Sequence, residues 1–446
     1  MSTSASPSAV AEAPERSYRR GAAIASVGIG VTGLVTYAYF ALASHALGRD
    51  DYGRITLLWS VIFAVVSVLY RPVEQMLSRT IADRDARGVR GYEHLRVAAT
   101  IQLALGLLFA GAALALRHPL EHGLFGGSST LYWILIVAVV AYAASYFARG
   151  FLAGNYRLGL YGGLVLMESC SRCTFSILAV AGVATSQGFV ATGMAAAPIV
   201  SLSVVPWAIG RRIRLESRAG DVRAGEAADV AALEEPPGEA EFTLAHGTGF
   251  ATAVLLIMLS EQAFLNAGPL LVKATAHAHA AAVAGFAFNV LLIARAPLQL
   301  FQAIQTSILP HLTKLSTSGQ VDPFRRSVAI TIKLIAAFAA AVAVAVLAVG
   351  PPAMHVIFGK HHDYGRLGLV LVAIGMGVYL AAATLNQAAL ARGRTRQAAI
   401  CWVAAALAFV IFMLIPIGSD RVLQVEAGYL GGATLLCVLL YALYRR

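Results

Sequence analysis

Long apolar runs, each nearly free of charge, recur along the whole sequence and constrain the fold more than any other feature. Many reach the roughly 20 residues that a helix needs to cross the hydrocarbon core of a bilayer. The chain is 58% hydrophobic and only 13% charged, whereas soluble domains are about 45–50% apolar. The runs are apolar on every side rather than alternating, which excludes a β-barrel. We therefore predict an all-α integral membrane protein.

The breaks between these runs predict twelve transmembrane helices. Turn-forming residues separate the runs, for example at 126–129 and 350–352. The predicted spans are 22–47, 54–81, 94–116, 130–152, 160–184, 188–210, 244–272, 281–310, 326–350, 365–390, 397–417 and 424–444. An even number of spans places both termini on the same side of the membrane.

The basic residues predict which side that is. Most of the 34 Lys and Arg residues fall in alternate connections, including arginine-rich segments near 79–96, 149–157, 211–223 and 392–396. Because basic residues accumulate in cytoplasmic connections, both termini are expected in the cytoplasm. The net charge of +11 is then accounted for by topology and lipid headgroups, and we expect no nucleic-acid partner.

A polar stretch at 211–241 divides the predicted spans six and six. Arginines and acids mix there with few apolar residues, which indicates a flexible linker. Arg71 precedes Pro72 in the second span, and Arg295 stands before Pro297 at the matching place in the eighth. Two six-helix lobes related by a pseudo-two-fold axis along the membrane normal are therefore predicted, an arrangement typical of transporters. The predicted domains are a disordered cytoplasmic N-terminus at 1–20, an N-lobe at 21–214, a cytoplasmic linker at 215–241 and a C-lobe at 242–446.

Two pairs of opposite charges lie inside predicted spans, where an isolated charge is costly. Arg71 and Glu74 stand three residues apart beside Pro72, which is expected to kink or unwind the second span. Glu168 and Arg172 stand four apart in the fifth span, so their side chains can meet on one helix face. Each pair has two interpretations: the partners neutralise each other and join helices, or they line a cavity.

Further polar residues lie within the predicted C-lobe spans. Arg295, followed by Gln299 in the eighth span, has no acid within one helical turn. Glu261 in the seventh span is either a protonatable coupling site or an acid that packs between helices. Guanidinium groups suit phosphate oxygens, so Arg71, Arg172 and Arg295 are predicted to line a central cavity and hold an anionic group such as a pyrophosphate. The predicted substrate-binding residues are Arg71, Glu74, Glu168, Arg172, Arg295 and Gln299, with Glu261 as the coupling residue.

Catalytic and metal-binding patterns do not stand out in the sequence. Cys170 and Cys173 share one helix face and are expected to be small buried residues rather than metal ligands. The histidines near the predicted outer connections have no cysteine nearby in sequence and are expected to bind no metal. With no nucleotide-binding loop or catalytic triad, we predict no enzymatic activity, no metal and no cofactor beyond an H⁺ or Na⁺ coupling ion.

Three segments carry a family resemblance. Residues 43–53 contain Leu47-Gly48 followed by Tyr52-Gly53 and resemble the loop after the first span in O-antigen-type polysaccharide-biosynthesis flippases of the multidrug/oligosaccharidyl-lipid/polysaccharide (MOP) superfamily. Residues 149–157 resemble the connection between that family's fourth and fifth spans, and 294–312 are similar to its eighth span. The order of these motifs and the six-plus-six layout extend the resemblance over essentially the whole chain.

This resemblance implies a fold and a function. It implies a MATE-like fold, in which two six-helix lobes form a V in the bacterial plasma (inner) membrane. It also implies that the chain flips an undecaprenyl-pyrophosphate-linked oligosaccharide to the outer leaflet, driven by an ion gradient or the membrane potential. The implied partners are the lipid-linked glycan, membrane lipids and glycan polymerase or ligase machinery.

Other functions compete with a flippase. Residues 82–90 weakly match the acidic-basic-glycine-basic motif of major-facilitator transporters, although its leading glycine is missing. A MATE-type drug or cation antiporter is the second alternative, but such proteins favour an acid near the first span and 22–47 contains none. A glycan polymerase or ligase would need a large outer loop for its chemistry, and every predicted outer connection is short. A scaffold would not need arginines in mid-span.

Overall fold

The computed structural model describes residues 28, 30–86, 91–203, 244–276, 279–293, 321–359, 364–415 and 420–445. Within these ranges the chain is helical with short turns and contains no strand, which confirms the predicted all-α fold. Nine helical segments of the described chain are long and apolar enough to cross a membrane. A shorter apolar helix, Ala280–Ile293, ends where the description stops. The count of twelve spans therefore stays a prediction.

Seven helices make up the described N-terminal half. They are α1 (30–46), α2 (Arg49–Leu69), α3 (Arg71–Ala86), α4 (Glu93–Ala115), α5 (Ser129–Gly154), α6 (Leu158–Val180) and α7 (Gln187–Ser201). Helices α2 and α3 form one long membrane segment, Arg49–Asp85. Helix α5 lies at the centre of this half, because α2, α3, α4, α6 and α7 all pack on it.

The C-terminal half repeats this kind of packing. Its helices are α8 (Leu244–Gln262), α9 (Gly268–Thr275), α10 (Ala280–Ile293), α11 (Val321–Phe358), α12 (Arg366–Ala391), α13 (Thr395–Leu414) and α14 (Arg421–Arg445). A π-helical turn, Ala263–Ala267, joins α8 to α9. Helix α12 packs mainly between α11 and α14, and α13 packs on α8 and α14. An aromatic cluster around Phe264, Tyr379 and Trp402 fills the interior.

The two halves meet closely where α2 and α10 cross. A Cβ atom added to Gly53 would overlap the backbone carbonyl of Ala281, and one added to Gly285 would lie 2.9 Å from the Cα of Gly53. Only glycine permits helices to approach this closely. Near the crossing the Tyr52 hydroxyl donates a hydrogen bond to Asn289. We call this contact between Tyr52, Gly53, Ala281, Gly285 and Asn289 the interlobe seam.

Further contacts between the halves lie near the seam. The Tyr37 hydroxyl donates to the carbonyl of Leu292, and the rings of Phe40 and Phe288 are 4.7 Å apart. Asn289 also donates to the Tyr364 hydroxyl at 3.3 Å. Burial raises the pKa of Tyr364 to about 12, so this hydroxyl keeps its proton at physiological pH. The seam is thus uncharged at its centre.

Two predicted turns are placed differently in the structure. The break after the first span is confined to Leu47 and Gly48, because α2 already begins at Arg49. The predicted turn at 350–352 is wrong, since α11 continues through Pro351 and Pro352 to Phe358. In a membrane helix neighbouring groups can satisfy the carbonyls that proline leaves without a donor, so proline does not necessarily end the helix.

Candidate functional site

The second membrane segment is interrupted beside Arg71, the first charged residue after Arg54. Helix α2 ends at Leu69 and α3 begins at Arg71, with Tyr70 between them. Pro72 has no backbone N–H, so the carbonyl of Val68 lacks its usual helical donor. This confirms the interruption that the sequence predicts. It places Arg71 in the first turn of a helix inside the membrane segment.

Arg71 is partly exposed and electrostatically attracted to groups from both halves of the chain. The groups near enough to act on its charge are Glu261 of the C-terminal half and Glu74, Tyr146 and Tyr161 of the N-terminal half. No hydrogen bond or ion pair to a described residue occupies its guanidinium. Within the described chain the guanidinium of Arg71 is therefore partly exposed and has no hydrogen-bond acceptor.

Glu74 lies one helical turn after Arg71 on α3. Its carboxylate accepts a hydrogen bond from the Tyr161 hydroxyl at 3.1 Å, and the charges of Arg149 and Arg71 attract it. Glu74 and Tyr161 are both partly exposed. Glu74 and Arg71 form no direct ion pair. The two opposite charges lie near each other on α3, but the predicted contact between their side chains is not made.

Glu261 faces Arg71 from the second half. It lies near the end of α8, just before the π-helical turn, and is partly exposed. Among described residues, Arg71 is the charged group that acts on its carboxylate, and the buried Tyr379 of α12 interacts with both. Glu261 and Arg71 carry opposite charges but form no ion pair in the described chain. We call Arg71, Glu74, Tyr161 and Glu261 the interlobe site.

Glu168 pairs with a residue other than the predicted one. Its carboxylate forms an ion pair with Arg149 of α5 and accepts hydrogen bonds from Ser145 and, at 3.4 Å, from Ser201. The expectation that Glu168 meets Arg172 is therefore wrong. Arg149, assigned from sequence to a cytoplasmic connection, lies inside α5 and is only 9% exposed.

Arg172 is enclosed in the N-terminal half. Its guanidinium donates to Tyr142 and Ser169, each at 3.1 Å, and stacks 4.4 Å from the ring centroid of Trp59. It is only 3% exposed. Trp59 precedes Arg71 by twelve residues on the same segment, which is about 18 Å along a helix. Arg172 is therefore enclosed, whereas Arg71 is partly exposed.

The remaining predicted residues have mixed outcomes. Arg295 and Gln299 lie outside the described residues. In the described part of the chain, no group of three or more His, Cys, Asp or Glu side chains could hold a metal ion. Cys173 is buried but Cys170 is exposed, so the expectation of two buried cysteines holds for one.

Sequence reasoning missed the approach of α3 to α5, which brings Arg149 near Glu74. A Cβ atom on Gly150 would lie 2.9 Å from the carbonyl oxygen of Glu74, and one on Gly154 would lie 2.7 Å from Ile81. Two small residues four apart are a known signal for close helix packing in membranes. That signal, Gly150 and Gly154, was present in the sequence.

Comparison with solved structures shows what the fold is. An inward-facing multidrug resistance MATE family transporter of the MOP superfamily aligns over 95% of this chain and 97% of its own, with a TM-score of 0.66 and 13% identity. The fold is MATE-like. No protein-family profile and no curated protein matches the chain.

Two further structures share the MATE-like fold. A mutant of the Vibrio cholerae MATE transporter VcmN is 16% identical, with a TM-score of 0.61 over 96% of this chain and 97% of its own. A MOP superfamily transporter from Pyrococcus furiosus, described as having a binding pocket of reverse polarity, is 15% identical. Its TM-score is 0.58 over 97% of this chain and 95% of its own. The predicted MATE-like fold is thereby confirmed.

Proposed function

We propose that this chain is a membrane transporter that flips an undecaprenyl-pyrophosphate-linked oligosaccharide, a precursor of cell-surface polysaccharide, across the plasma membrane by alternating access. The MATE-like fold supports the transporter class. The sequence motifs at 43–53 and 149–157 support the lipid-linked substrate. In this proposal both termini lie in the bacterial cytoplasm.

Arg71 is the observation that carries the proposal. A charge at the centre of a membrane helix costs about 2.5–3.5 kcal/mol on insertion scales, so an arginine there needs a compensating role. Its guanidinium is partly exposed and makes no hydrogen bond within the described chain. Five N–H donors in a planar fork suit the oxygens of a phosphate or pyrophosphate. The headgroup of the lipid-linked glycan provides such oxygens.

The proposed mechanism needs positioning and movement rather than bond chemistry. Arg71 would bind the pyrophosphate between the lobes, and rearrangement of the lobes would expose it to the opposite leaflet. Glu261 is proposed as the residue that couples this movement to H⁺ or Na⁺. The chain would act as a transporter rather than an enzyme, together with membrane lipids and the glycan polymerase or ligase that uses its product.

A MATE-type antiporter of small molecules or drugs is the second candidate. The likeness to a multidrug resistance MATE transporter and to a second MATE transporter favours it, and Glu74 and Glu261 in the interlobe site could attract a cation. The same likeness over nearly the full chain favours either candidate over a major-facilitator transporter. Arg71 argues against a cationic substrate, because like charges repel.

The test is deletion of the gene, complementation with variants and analysis of lipid-linked sugars. We expect the deletion strain to accumulate the lipid-linked glycan in the inner leaflet. Arg71→Ala should fail to restore surface polysaccharide, and Arg71→Lys should restore it only in part because lysine lacks the bidentate fork. Arg295→Ala should fail as well. Arg366→Ala, at an exposed site at the start of α12, is the control that should complement fully.

Expression and membrane insertion of each variant are measured in parallel. If the deletion leaves lipid-linked sugars unchanged and alters drug tolerance, the antiporter is the better description. If Arg71→Ala is expressed, inserted and fully active, Arg71 does not bind the substrate.

A further inference from the structure

The start of α14 carries several polar side chains, and one of them stands apart from the rest. The carboxylate of Asp420 accepts two backbone N–H groups of the first turn, each at 3.0 Å, and so caps the helix. Arg421 donates a hydrogen bond to Gln424 at 2.8 Å, and Gln424 donates to two carbonyls at the end of α13. Glu426 is only 5% exposed, yet its carboxyl group has no hydrogen-bond or ion-pair partner among the described residues.

The carboxyl group of Glu426 lies in a groove on α12 that glycine makes possible. A Cβ atom added to Gly368 would overlap this carboxyl group, so the acid can occupy its place only because position 368 has no side chain. Two turns further along α12, a Cβ atom on Gly375 would lie 2.9 Å from the ring of Tyr429 and 3.2 Å from the Cα of Leu430. Helices α12 and α14 therefore pack closely along this face, and the backbone of α12 covers one side of the acid.

No basic side chain in the described ranges neutralises Glu426. Arg366 on α12 is exposed, Lys273 lies on α9, which also packs on α14, and neither forms an ion pair with the acid. Helix α13 has no charged residue after Arg396. The nearest charged group on α14 that acts on Glu426 is the like-charged Asp420. A carboxylate buried without a cation or a donor is strongly disfavoured, and a bound proton removes its charge.

The start of α12 connects this acid to the interlobe seam. Gly368 follows Tyr364 by only four residues. The Tyr364 hydroxyl accepts a hydrogen bond from Asn289 at 3.3 Å, and Asn289 accepts one from Tyr52 of the N-terminal half. The same short segment therefore contacts Glu426 on α14 and the seam on α10.

We propose that Glu426 is a proton-binding site that controls the interlobe seam. With the proton bound, the neutral carboxyl group stays in the groove at Gly368 and keeps the start of α12 packed on α14. When the proton leaves to water, the carboxylate requires hydration, so it leaves the groove and the start of α12 loosens. Tyr364 then releases Asn289, and the seam opens. This site is separate from Glu261 and does not depend on which substrate is carried.

The linkage between proton and seam has a defined sign. The closed seam binds one proton more than the open seam, so the ratio of closed to open falls as pH rises, by up to about tenfold per pH unit. A second titratable group lies near the seam, because His279 of the C-terminal half is 3.4 Å from Asp50 of the N-terminal half. Loss of a proton from His279 would weaken that attraction in the same pH direction. The test must therefore separate His279 from Glu426.

Infrared spectroscopy of the full-length protein in lipid nanodiscs tests whether Glu426 binds a proton. The C=O stretch of protonated carboxyl groups is recorded from about pH 5 to about pH 9, a range that begins above the pKa of an ordinary carboxyl group, with and without sodium chloride. We expect a component that disappears as pH rises, is missing from Glu426→Gln and is unaffected by sodium. Asp322→Asn, at an exposed carboxylate at the start of α11, should keep this component.

Spin labels at Arg49 and Ala274, in a background without the four native cysteines, measure the distance between the halves over the same pH range. We expect the closed population of the wild type to fall as pH rises. His279→Gln should keep this response, whereas Glu426→Gln should hold the seam closed at every pH. Gly368→Ala should open the seam even at low pH, because the new Cβ atom displaces the carboxyl group.

Each outcome supports or overturns one part of the inference. If the infrared component is absent, does not titrate, or is removed by sodium at low pH, Glu426 is not a proton site. If it titrates but the distance in the wild type does not change, or Glu426→Gln responds as the wild type does, control of the seam is overturned. Loss of the response in His279→Gln would also overturn it. Thermal unfolding checks the folding of each variant, and the wild-type titration and Gly368→Ala decide the matter if Glu426→Gln does not fold.

Discussion

Arg149 and Glu168 form a buried ion pair that joins α5 to α6 inside the N-terminal half. Arg149 is 9% exposed and Glu168 only 3%. Ser145 donates a further hydrogen bond to the carboxylate, and the guanidinium lies 4.5 Å from the ring centroid of Tyr146. The desolvation of both charges is thus compensated by several contacts. Either charge alone would lose that compensation.

Removal of one partner should be strongly destabilising. We expect Glu168→Gln to lower the free energy of unfolding by about 3–5 kcal/mol, because an unpaired guanidinium stays buried. Joint replacement by Arg149→Met and Glu168→Leu should cost much less, since it removes both charges. Unfolding in detergent, followed by tryptophan fluorescence, measures these differences.

A double-mutant cycle tests which arginine is the partner of Glu168. Combining Glu168→Gln with Arg172→Met should show little coupling if Arg149 is the partner of Glu168. Strong coupling between Glu168 and Arg172 would contradict the structure and favour the pair that the sequence spacing predicts.

Sequence spacing predicts which residues can meet on one helix, but not which of several partners wins. Glu168 and Arg172 satisfy the four-residue spacing, yet Glu168 binds Arg149 on a neighbouring helix. Arg172 is held instead by Tyr142 and Trp59. Contacts between helices depend on packing that a single sequence does not display. Arg71 was identified because its helix break is a local property that Pro72 determines.

At the level of helices, the sequence predicts apolar length well and interruptions less well. The predicted span 365–390 agrees closely with Arg366–Ala391. Helix α11, however, extends over 38 residues from Val321 to Phe358, which is about 57 Å and exceeds the roughly 30 Å hydrocarbon core. The double proline was predicted to end it. The packing around a helix decides whether proline interrupts it.

The end of α14 depends on two arginines from the connection between α12 and α13. Arg392 donates to the carbonyl of Tyr444 at 2.9 Å, and Arg394 donates to that of Leu443 at 2.8 Å. The last carbonyls of a helix have no partner within it, and positive charge there also complements the helix dipole. The two side chains therefore cap the C-terminal helix.

Replacing both arginines should fray the last turn of α14. In Arg392→Ala with Arg394→Ala we expect amide exchange in 440–445 to become about tenfold faster, since two charged hydrogen bonds are lost. Hydrogen–deuterium exchange with peptide-level mass spectrometry measures this change.

Arg396 provides the control for this prediction. It lies in the first turn of α13, two residues after Arg394, and is exposed, so Arg396→Ala should leave exchange in 440–445 unchanged. If both variants accelerate exchange equally, the effect comes from charge near the membrane surface rather than from capping.

At the scale of the whole molecule, the sequence predicts the class of fold but not its conformational state. Apolar length and the repeated layout predict a MATE-like fold, and the structural comparisons confirm it. The interlobe seam is closed, whereas Arg71 on the same membrane segment is partly exposed. Gly53 and Arg71 are separated by about 27 Å along a helix. A carrier uses one sequence for several states of similar free energy, so the sequence alone cannot select one.

The crossing of α2 and α10 at Gly53 should determine how much of the protein has a closed interlobe seam. In Gly53→Val the new side chain would overlap the backbone at Ala281, and backbone cannot rotate away as a flexible side chain can. The halves must separate by roughly 2 Å to restore ordinary carbon contacts of about 3.5–4.0 Å. We expect the variant to shift the population towards states in which the seam is open.

Spin labels at Arg49 of the N-terminal half and Ala274 of the C-terminal half, both exposed, report this shift as a longer distance in pulsed electron resonance. The labels are placed in a background without the four native cysteines. Gly111→Val on α4 is the control, because a Cβ atom there meets nothing within 4 Å and the distance should not change. An unchanged distance in Gly53→Val would mean that α2 and α10 do not cross through Gly53.

Gly53 is about 27 Å from Arg71 along the helix. If Gly53→Val also changes the affinity for pyrophosphate, the change would therefore act through the equilibrium between open and closed lobes and not through contact with the ligand.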